Sequence, residues 1–173
     1  MQFYDFIENQ DWNTVYEYVN TINANPEFFD GIDKYELAEL SFCVWYLLAE
    51  MGRYPKFDQN FYPDLEEVLY NAYLYYQKKF TGDNDFIFLM GYMISLFPEN
   101  FPKLGDYLSV KEFGKRLMEI AYQNEPNNPF IYLLNLRNGS DSGDKETILL
   151  ARAYVSTKFK NCKGLTDYFQ RIL

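Results

Sequence analysis

The sequence predicts an all-α protein, with about eight or nine helices packed as one domain over residues 1–173. Apolar residues recur at spacings of three and four along most of the chain, and no alternating strand pattern of useful length occurs. Proline, glycine and capping residues divide this pattern into short segments. Helices joined by short links usually pack as antiparallel neighbours, so we expect irregular helical hairpins.

The N-terminal part of the chain predicts two short helices and then a long one. "FYDFIEN" and "DWNTVYEYVNTI" form the short pair, with Asp11 as the cap of the second. Asp33 and Glu36 have the spacing of a capping box, which opens the helix "KYELAELSFCVWYLLAEM". Gly52 is expected to close that helix.

The long helix is predicted to be mostly buried, because apolar and aromatic residues cover nearly its whole circumference. A narrow outer stripe is left for its polar and small residues. We expect that stripe to consist of Glu36, Glu39, Cys43 and Glu50.

Two further helices are predicted in the middle of the chain. Pro63 fits the first turn of "DLEEVLYNAYLYYQKKF", which ends at Gly82. Asp83 can cap the following segment, "DFIFLMGYMISLF", which is apolar on every side and should be a central helix. Gly91 in that segment would let a neighbouring helix approach closely, and Pro98 would end it.

The C-terminal part predicts four helices. Ser109 and Glu112 match a second capping box, whose helix runs to about Tyr122. Asn128 is the expected cap of the next helix, which ends near Gly139 before the surface loop "NGSDSGD". The segments "KETILLARAYVSTKF" and "TDYFQRIL" are the last two helices.

The segment from Ala121 through "EPNNP" resembles the junction between two tetratricopeptide units. A period of about 34 residues does not recur along the chain, however. We therefore expect an irregular, TPR-like stack of helical hairpins and no regular repeat array.

Charge and aromatic content are both unusual. The net charge is −9, and residues 1–67 hold fourteen acidic and three basic residues, against eleven and thirteen in the remainder. Such an N-terminal half repels nucleic acid and attracts basic partners. Aromatic residues make up 20% of the chain, which suits either a core built from rings or a protein interface.

Several classes of site lack the residues they need. The chain has no histidine, which removes the histidine-dependent nucleophile sites and histidine-ligated zinc. It has neither a phosphate-binding glycine loop nor a dinucleotide fingerprint, and the "GDND" and "DSGDKE" segments lack a calcium loop. We expect no cofactor and no metal. Cys162 lies among lysines, which favours either a solvated basic end of the chain or a thiol whose pKa they lower, and the first is the default interpretation. Cys43 should be a small buried residue.

The location follows from similar arguments. The first ten residues lack the pattern of a signal peptide, and no run of about 18 apolar residues could span a membrane. We therefore expect a cytoplasmic protein with two free thiols and no membrane partner.

The predicted helix that contains Tyr70 has two distinct sides. The core face is formed by Leu65, Val68, Leu69, Ala72, Tyr76 and Phe80. The other side combines acids with tyrosines, which is typical of a binding surface, although a second helix that buries this side remains an equal alternative. The candidate partner-binding residues of the chain are Glu36, Glu39, Glu50, Asp58, Asp64, Glu66, Glu67, Tyr70 and Tyr73.

A small, acidic, aromatic-rich helical chain of this kind resembles the immunity proteins of bacterial contact-dependent growth inhibition and related polymorphic toxin systems. The resemblance implies a protein that is not an enzyme and that binds a cognate toxin domain and covers its active site. Such toxins are often basic nucleases, and within this class we expect a ribonuclease of the EndoU type. The alternatives are a helical adaptor that holds a peptide or protein, and an enzyme that uses carboxylates alone in a deep pocket.

Overall fold

Nine α-helices make up most of the residues that the structure describes, which are 3–50, 54, 56–137 and 144–173. The structure is a computed structural model. No strand occurs within those ranges, so the all-α prediction is confirmed. The helices are α1 (Phe3–Glu8), α2 (Trp12–Ala24), α3 (Lys34–Ala49), α4 (Tyr62–Lys79), α5 (Asn84–Leu96), α6 (Tyr107–Asn124), α7 (Pro129–Arg137), α8 (Lys145–Lys158) and α9 (Lys163–Ile172).

Side-chain caps determine where four of these helices begin, as the sequence predicts. Asp11 accepts a hydrogen bond from the third residue of α2, and Asp83 accepts one from the third residue of α5. Asp33 and Glu36 form the complete capping box at the start of α3. Asn128 accepts from two backbone N–H groups in the first turn of α7. Each cap satisfies donors that a helix start otherwise leaves free.

The predicted capping box at Ser109 is wrong. Asp106 caps α6 instead, accepting from the N–H groups of Leu108 and Ser109 at 3.1 Å each. Ser109 lies inside the first turn of α6, where its hydroxyl donates to the same carboxylate at 2.6 Å. The two candidate caps are three residues apart, and the upstream aspartate allows the helix to begin almost one turn earlier.

Helix α3 is the centre of the core. Every residue from Leu37 to Leu48 is buried, and α3 contacts α1, α4, α5 and α9. The Trp45 indole N–H donates to the backbone carbonyl of Met93 on α5 at 3.1 Å. Helix α5 is equally enclosed over the segment from Asp85 to Ile94, which confirms its predicted central position.

Helices α5 and α6 cross at two glycines. A Cβ atom on Gly91 would lie 2.8 Å from the carbonyl oxygen of Gly114, and one on Gly114 would lie 2.5 Å from the backbone nitrogen of Ser95. The two backbones are therefore in direct contact, which confirms the close approach predicted at Gly91.

The C-terminal helix returns to the N-terminal half of the molecule. Helix α9 packs on α3, and a Cβ atom on Gly164 would lie 2.5 Å from the ring of Tyr4 and 3.0 Å from the Cys43 sulfur. An open stack of hairpins has contacts only between neighbours. Here the contact between α9 and α3 closes the stack, and it places the start of α9 beside α1 and α3.

Some predictions fall outside the described residues. These are the end of α3 at Gly52, the end of the seventh helix near Gly139, and the loop over residues 138–143. Among the helices that the structure describes, none is both long and apolar enough to cross a membrane.

Candidate functional site

The outer stripe predicted on α3 is wrong at two of its four positions. Glu39 is only 7% exposed and Cys43 is fully buried. The Glu39 carboxylate accepts hydrogen bonds from the backbone N–H groups of Gly164 at 2.7 Å and Leu165 at 3.2 Å. The first turn of α9 therefore covers this part of α3. A carboxylate suits that position because the start of a helix carries partial positive charge.

The environment of Glu39 combines burial with backbone hydrogen bonding. Burial raises the pKa of its carboxyl group above 4.5, whereas the N–H groups of Gly164 and Leu165 oppose that rise. No lysine or arginine of the described residues forms an ion pair with it. The Cys43 thiol is a third hydrogen-bond partner of Glu39. Glu39 is thus a buried acid that is held by two backbone N–H groups and one thiol.

A groove of about 510 Å³ lies between α1, α2, the 3₁₀ turn Phe28–Gly31 and the start of α3. Six of its lining residues give it its character, namely Phe6, Tyr18, Phe28, Tyr35, Glu36 and Glu39. We call this the α1–α3 groove. Aromatic rings form its walls, Glu36 is exposed at its rim, and Glu39 is buried at its floor.

The aromatic walls are held by contacts among the rings themselves. Phe3 stacks on Tyr18 with ring centres 5.1 Å apart, and Tyr18 meets Phe28 edge-on at 6.0 Å. The ammonium group of Lys34 lies 5.0 Å from the centre of the Tyr35 ring. A cation already occupies one of these aromatic faces, at a distance where cation–π attraction operates.

The carboxylate at the rim is only partly used by the fold. One oxygen of Glu36 accepts the Asp33 backbone N–H at 3.1 Å as part of the capping box. A carboxylate has about four acceptor positions, so capacity for another donor remains. Asp33 itself accepts from Tyr35 and Glu36, and its side chain is committed to the cap.

The groove lies in a strongly acidic layer. Residues 1–50, which contain α1 to α3, hold ten acidic residues and one basic residue, Lys34. That lysine pairs with Asp83 at 2.6 Å. Seven acids of the layer are exposed at its surface, namely Glu8, Asp11, Glu17, Glu27, Asp30, Asp33 and Glu36. The potential at the groove is therefore negative, which favours a cationic occupant.

The acidic and tyrosine-rich side of α4 is partly covered by other parts of the same chain. Glu67 forms an ion pair with Lys103, whose ammonium group also lies 5.2 Å from the centre of the Tyr70 ring. Tyr73 packs edge-on against Phe113 of α6 at 6.1 Å. Helix α6 therefore covers Tyr73, in agreement with the alternative that a second helix buries this side of α4. Tyr70 is half-buried beside Lys103.

The core face predicted on α4 is confirmed at five of its six positions. Leu65, Val68, Leu69 and Ala72 are fully buried, and Tyr76 is 1% exposed. Phe80 is only half-buried, because α4 ends at Lys79, one residue before it. Only the opposite side of α4 can therefore contribute to a binding surface.

The remaining candidates lie apart from the α1–α3 groove. Asp58 is exposed and caps the 3₁₀ turn Gln59–Phe61. Asp64 and Glu66 are half-buried in the first half of α4, and burial raises the pKa of the Glu66 carboxyl group. Glu50 is half-buried directly after α3. Of the nine candidate residues, the structure therefore places only Glu36 and Glu39 together in one groove.

The alternative of an activated Cys162 thiol is wrong. Its side chain is buried and its thiol donates to the backbone carbonyl of Tyr35 at 3.3 Å. Burial, with the nearby charges of Glu39 and Asp33, raises the pKa of the Cys162 thiol to about 12. The neighbouring lysines do not reverse this effect, because Lys160 and Lys163 point to solvent.

The aspartates of the "GDND" segment are used by the fold. Asp83 caps α5 and pairs with Lys34. Asp85 is 6% exposed, pairs with Lys158 at 2.8 Å and accepts the Tyr154 hydroxyl at 2.5 Å. Within the described ranges, no three histidine, cysteine or acidic side chains converge as metal ligands do.

Comparison of the chain with protein-family models, curated proteins and solved structures found no match. The function is therefore argued from the chemistry of the surface itself. The sequence predicts Glu36 and the acidity of the layer, but not the aromatic walls from α1, α2 and the 3₁₀ turn. The clustering of Phe28, Phe29 and Ile32 just before α3 was the available signal.

Proposed function

We propose that this protein binds a basic partner protein through the α1–α3 groove and the acidic layer around it. The observation that carries the proposal is the groove itself, in which aromatic walls meet a carboxylate rim within a layer of ten acids and one lysine. Buried aromatic contacts dominate the energy of many interfaces, and complementary charge steers the partner into place.

The resemblance to immunity proteins suggests what that partner is. A cognate toxin domain with nuclease activity has a basic groove that takes the phosphates of its substrate. The acidic layer would occupy that groove and exclude the nucleic acid by both shape and charge. Binding of this kind needs no catalytic group on the inhibitor, and its association rate would fall as salt is added.

A helical adaptor that holds a basic peptide is the second candidate. The volume of the α1–α3 groove, about 510 Å³, favours it, because a short segment fits such a groove without contacts elsewhere. The two functions differ in the area buried. A folded toxin domain would cover about 800 Å² of this protein, which extends well beyond the groove, whereas a peptide would cover the groove alone.

Co-expression tests the main proposal. The product of the gene directly upstream is expressed once together with this chain and once without it. We expect the two proteins to copurify stably and the neighbour to be toxic only when this chain is absent. A neighbour that is harmless on its own, or that does not copurify, contradicts the immunity function.

Charge reversal at the groove tests where the partner binds. Glu36→Lys should weaken the complex at least about tenfold, since a difference of about 1.4 kcal/mol corresponds to that factor. Glu119→Lys is the matched control, because it makes the same change of charge at an exposed site on α6. Equal affinities for the two variants would remove the groove from the interface, provided that thermal unfolding shows both to be folded.

The α4 surface has its own test. Glu66→Lys combined with Glu67→Lys should weaken binding less than the groove variant does, because Lys103 already neutralises Glu67. A larger loss than that of Glu36→Lys would move the interface from the groove to α4.

A further inference from the structure

The floor of the α1–α3 groove has an unusual charge arrangement. Glu39 is 7% exposed and forms no ion pair within the described part of the chain. Acidic side chains are rarely buried to this extent unless a cation pairs with them. Backbone N–H groups of Gly164 and Leu165 and the Cys43 thiol take three of its acceptor positions, out of about four. The carboxyl group thus retains acceptor capacity at the floor of the groove.

We infer that the α1–α3 groove binds an arginine side chain of the partner, with the guanidinium between the aromatic walls and directed to Glu36 and Glu39. This inference rests on the proposed function, because it names the group by which a basic partner is recognised. The occupant supplies the cation that the buried carboxylate lacks.

The shape and chemistry of the walls favour arginine over lysine. A guanidinium is flat and weakly hydrated, so it stacks on rings such as those of Tyr18 and Phe28 at a smaller desolvation cost than an ammonium group. It also presents five N–H donors in a fixed fork, which suits two carboxylates at different depths. Arginine remains charged when desolvated, whereas a lysine in such a place tends to lose its proton.

The structure contains one cation–aromatic contact at the same wall. Lys34 lies over the Tyr35 ring at 5.0 Å, but its ammonium group is held by Asp83 at 2.6 Å. Lys34 is therefore committed to Asp83 and is not the counter-ion of Glu39. The proposed cation of the groove is therefore the arginine of the partner.

Capped tripeptides test the inference on the isolated protein. Gly-Arg-Gly, Gly-Lys-Gly and Gly-citrulline-Gly, each acetylated and amidated, are titrated into ¹⁵N-labelled protein and followed by amide chemical shifts. We expect the arginine peptide to shift the amides of Tyr18, Phe28 and Glu36, and to bind about tenfold more tightly than the lysine peptide. Citrulline has the same shape without the charge, so its peptide should not bind.

Variants locate the site. Glu36→Gln keeps an acceptor for the capping box, because glutamine also serves at that position, but it removes the rim charge. It should weaken the arginine peptide at least about threefold, whereas the control Glu119→Gln, which removes an exposed charge on α6 outside the acidic layer, should leave the affinity unchanged. Equal binding to wild type in both variants would contradict the proposed site.

The outcomes separate this inference from the proposed function. Lysine binding as tight as arginine, or arginine binding away from the groove, overturns the inference alone. Absence of any peptide binding also overturns it, because the groove would then need more of the partner than one side chain. The proposed function fails if the upstream product does not copurify with this chain or is harmless in its absence.

Discussion

The crossing of α5 and α6 provides a sharp test of the packing. Gly114→Ala would place a Cβ atom 2.5 Å from the backbone nitrogen of Ser95, about 1 Å inside ordinary contact distance. Gly91→Ala would place one 2.8 Å from the Gly114 carbonyl oxygen and the Met118 backbone nitrogen. In both cases the obstructing atoms belong to the backbone. A rotamer change therefore cannot relieve the overlap, and the helices must separate.

The magnitude follows from two opposing terms. Overpacking of a well-packed core costs about 1–3 kcal/mol, and a clash between two helix backbones belongs at the upper end of that range. Alanine recovers about 1 kcal/mol because it is a better helix former than glycine. The net loss is about 2 kcal/mol for Gly114→Ala. For a chain of this length, that loss lowers the unfolding midpoint by about 4–8 °C.

Thermal and urea unfolding, followed by circular dichroism, measure this loss. Gly82→Ala is the control, because a Cβ atom there meets no atom within 4 Å, and it should leave the midpoint nearly unchanged. If Gly114→Ala unfolds at the same temperature as Gly82→Ala, the two helices are not in backbone contact and the described crossing is wrong.

Three further predictions concern single groups. Cys43 and Cys162 should react with a thiol reagent only as fast as the native protein opens. Both side chains are buried, and burial raises the pKa of each thiol. Rapid reaction of the native protein would contradict their placement. The pKa of the Glu39 carboxyl group is higher in the folded state than in the unfolded state. Its contribution to folding stability is therefore complete below about pH 4.5 and is lost as the pH rises through the folded pKa. Urea unfolding of dilute protein should therefore show that wild type loses stability relative to Glu39→Gln as the pH rises from about 4 to about 7, and a constant difference would refute this. A double-mutant cycle on Glu67 and Lys103 should give a coupling energy below about 1 kcal/mol, because both side chains are partly exposed; a larger value would show that the pair anchors α4.

Local patterns were sufficient to predict much of the fold. The caps at Asp11, Asp33, Asp83 and Asn128 are decided by residues within one turn of each helix start, and all four predictions are confirmed. The error at Ser109 arose where two candidate caps compete within a few residues. The local pattern permits both, and the upstream aspartate forms the cap.

Contacts between distant parts of the chain explain what sequence analysis missed. Glu39 was assigned to the outside of α3 because a charged residue on an apolar helix normally faces water. Its partners are more than a hundred residues away, at the start of α9, and no periodicity within α3 indicates them. The α1–α3 groove is hidden for the same reason, since its walls come from three separate segments of the chain.

The uneven charge of the chain is not explained by the internal needs of the fold. Helix caps are formed by aspartates in both halves, so capping does not account for an excess in one of them. Ion pairs between described side chains involve five acids, namely Glu67, Asp83, Asp85, Glu112 and Asp167. Only Glu67 of these comes from residues 1–67.

The acidic layer over α1 to α3 therefore carries a surface charge that capping does not require and that repels itself within the folded state. A basic partner would relieve this repulsion, and it would stabilise the fold further by binding only the native protein. Added salt would reduce the first of these effects by screening the charges. The stabilisation that a basic partner confers should therefore be greatest at low ionic strength. An uncharged ligand of the same groove should not stabilise the fold more at low ionic strength.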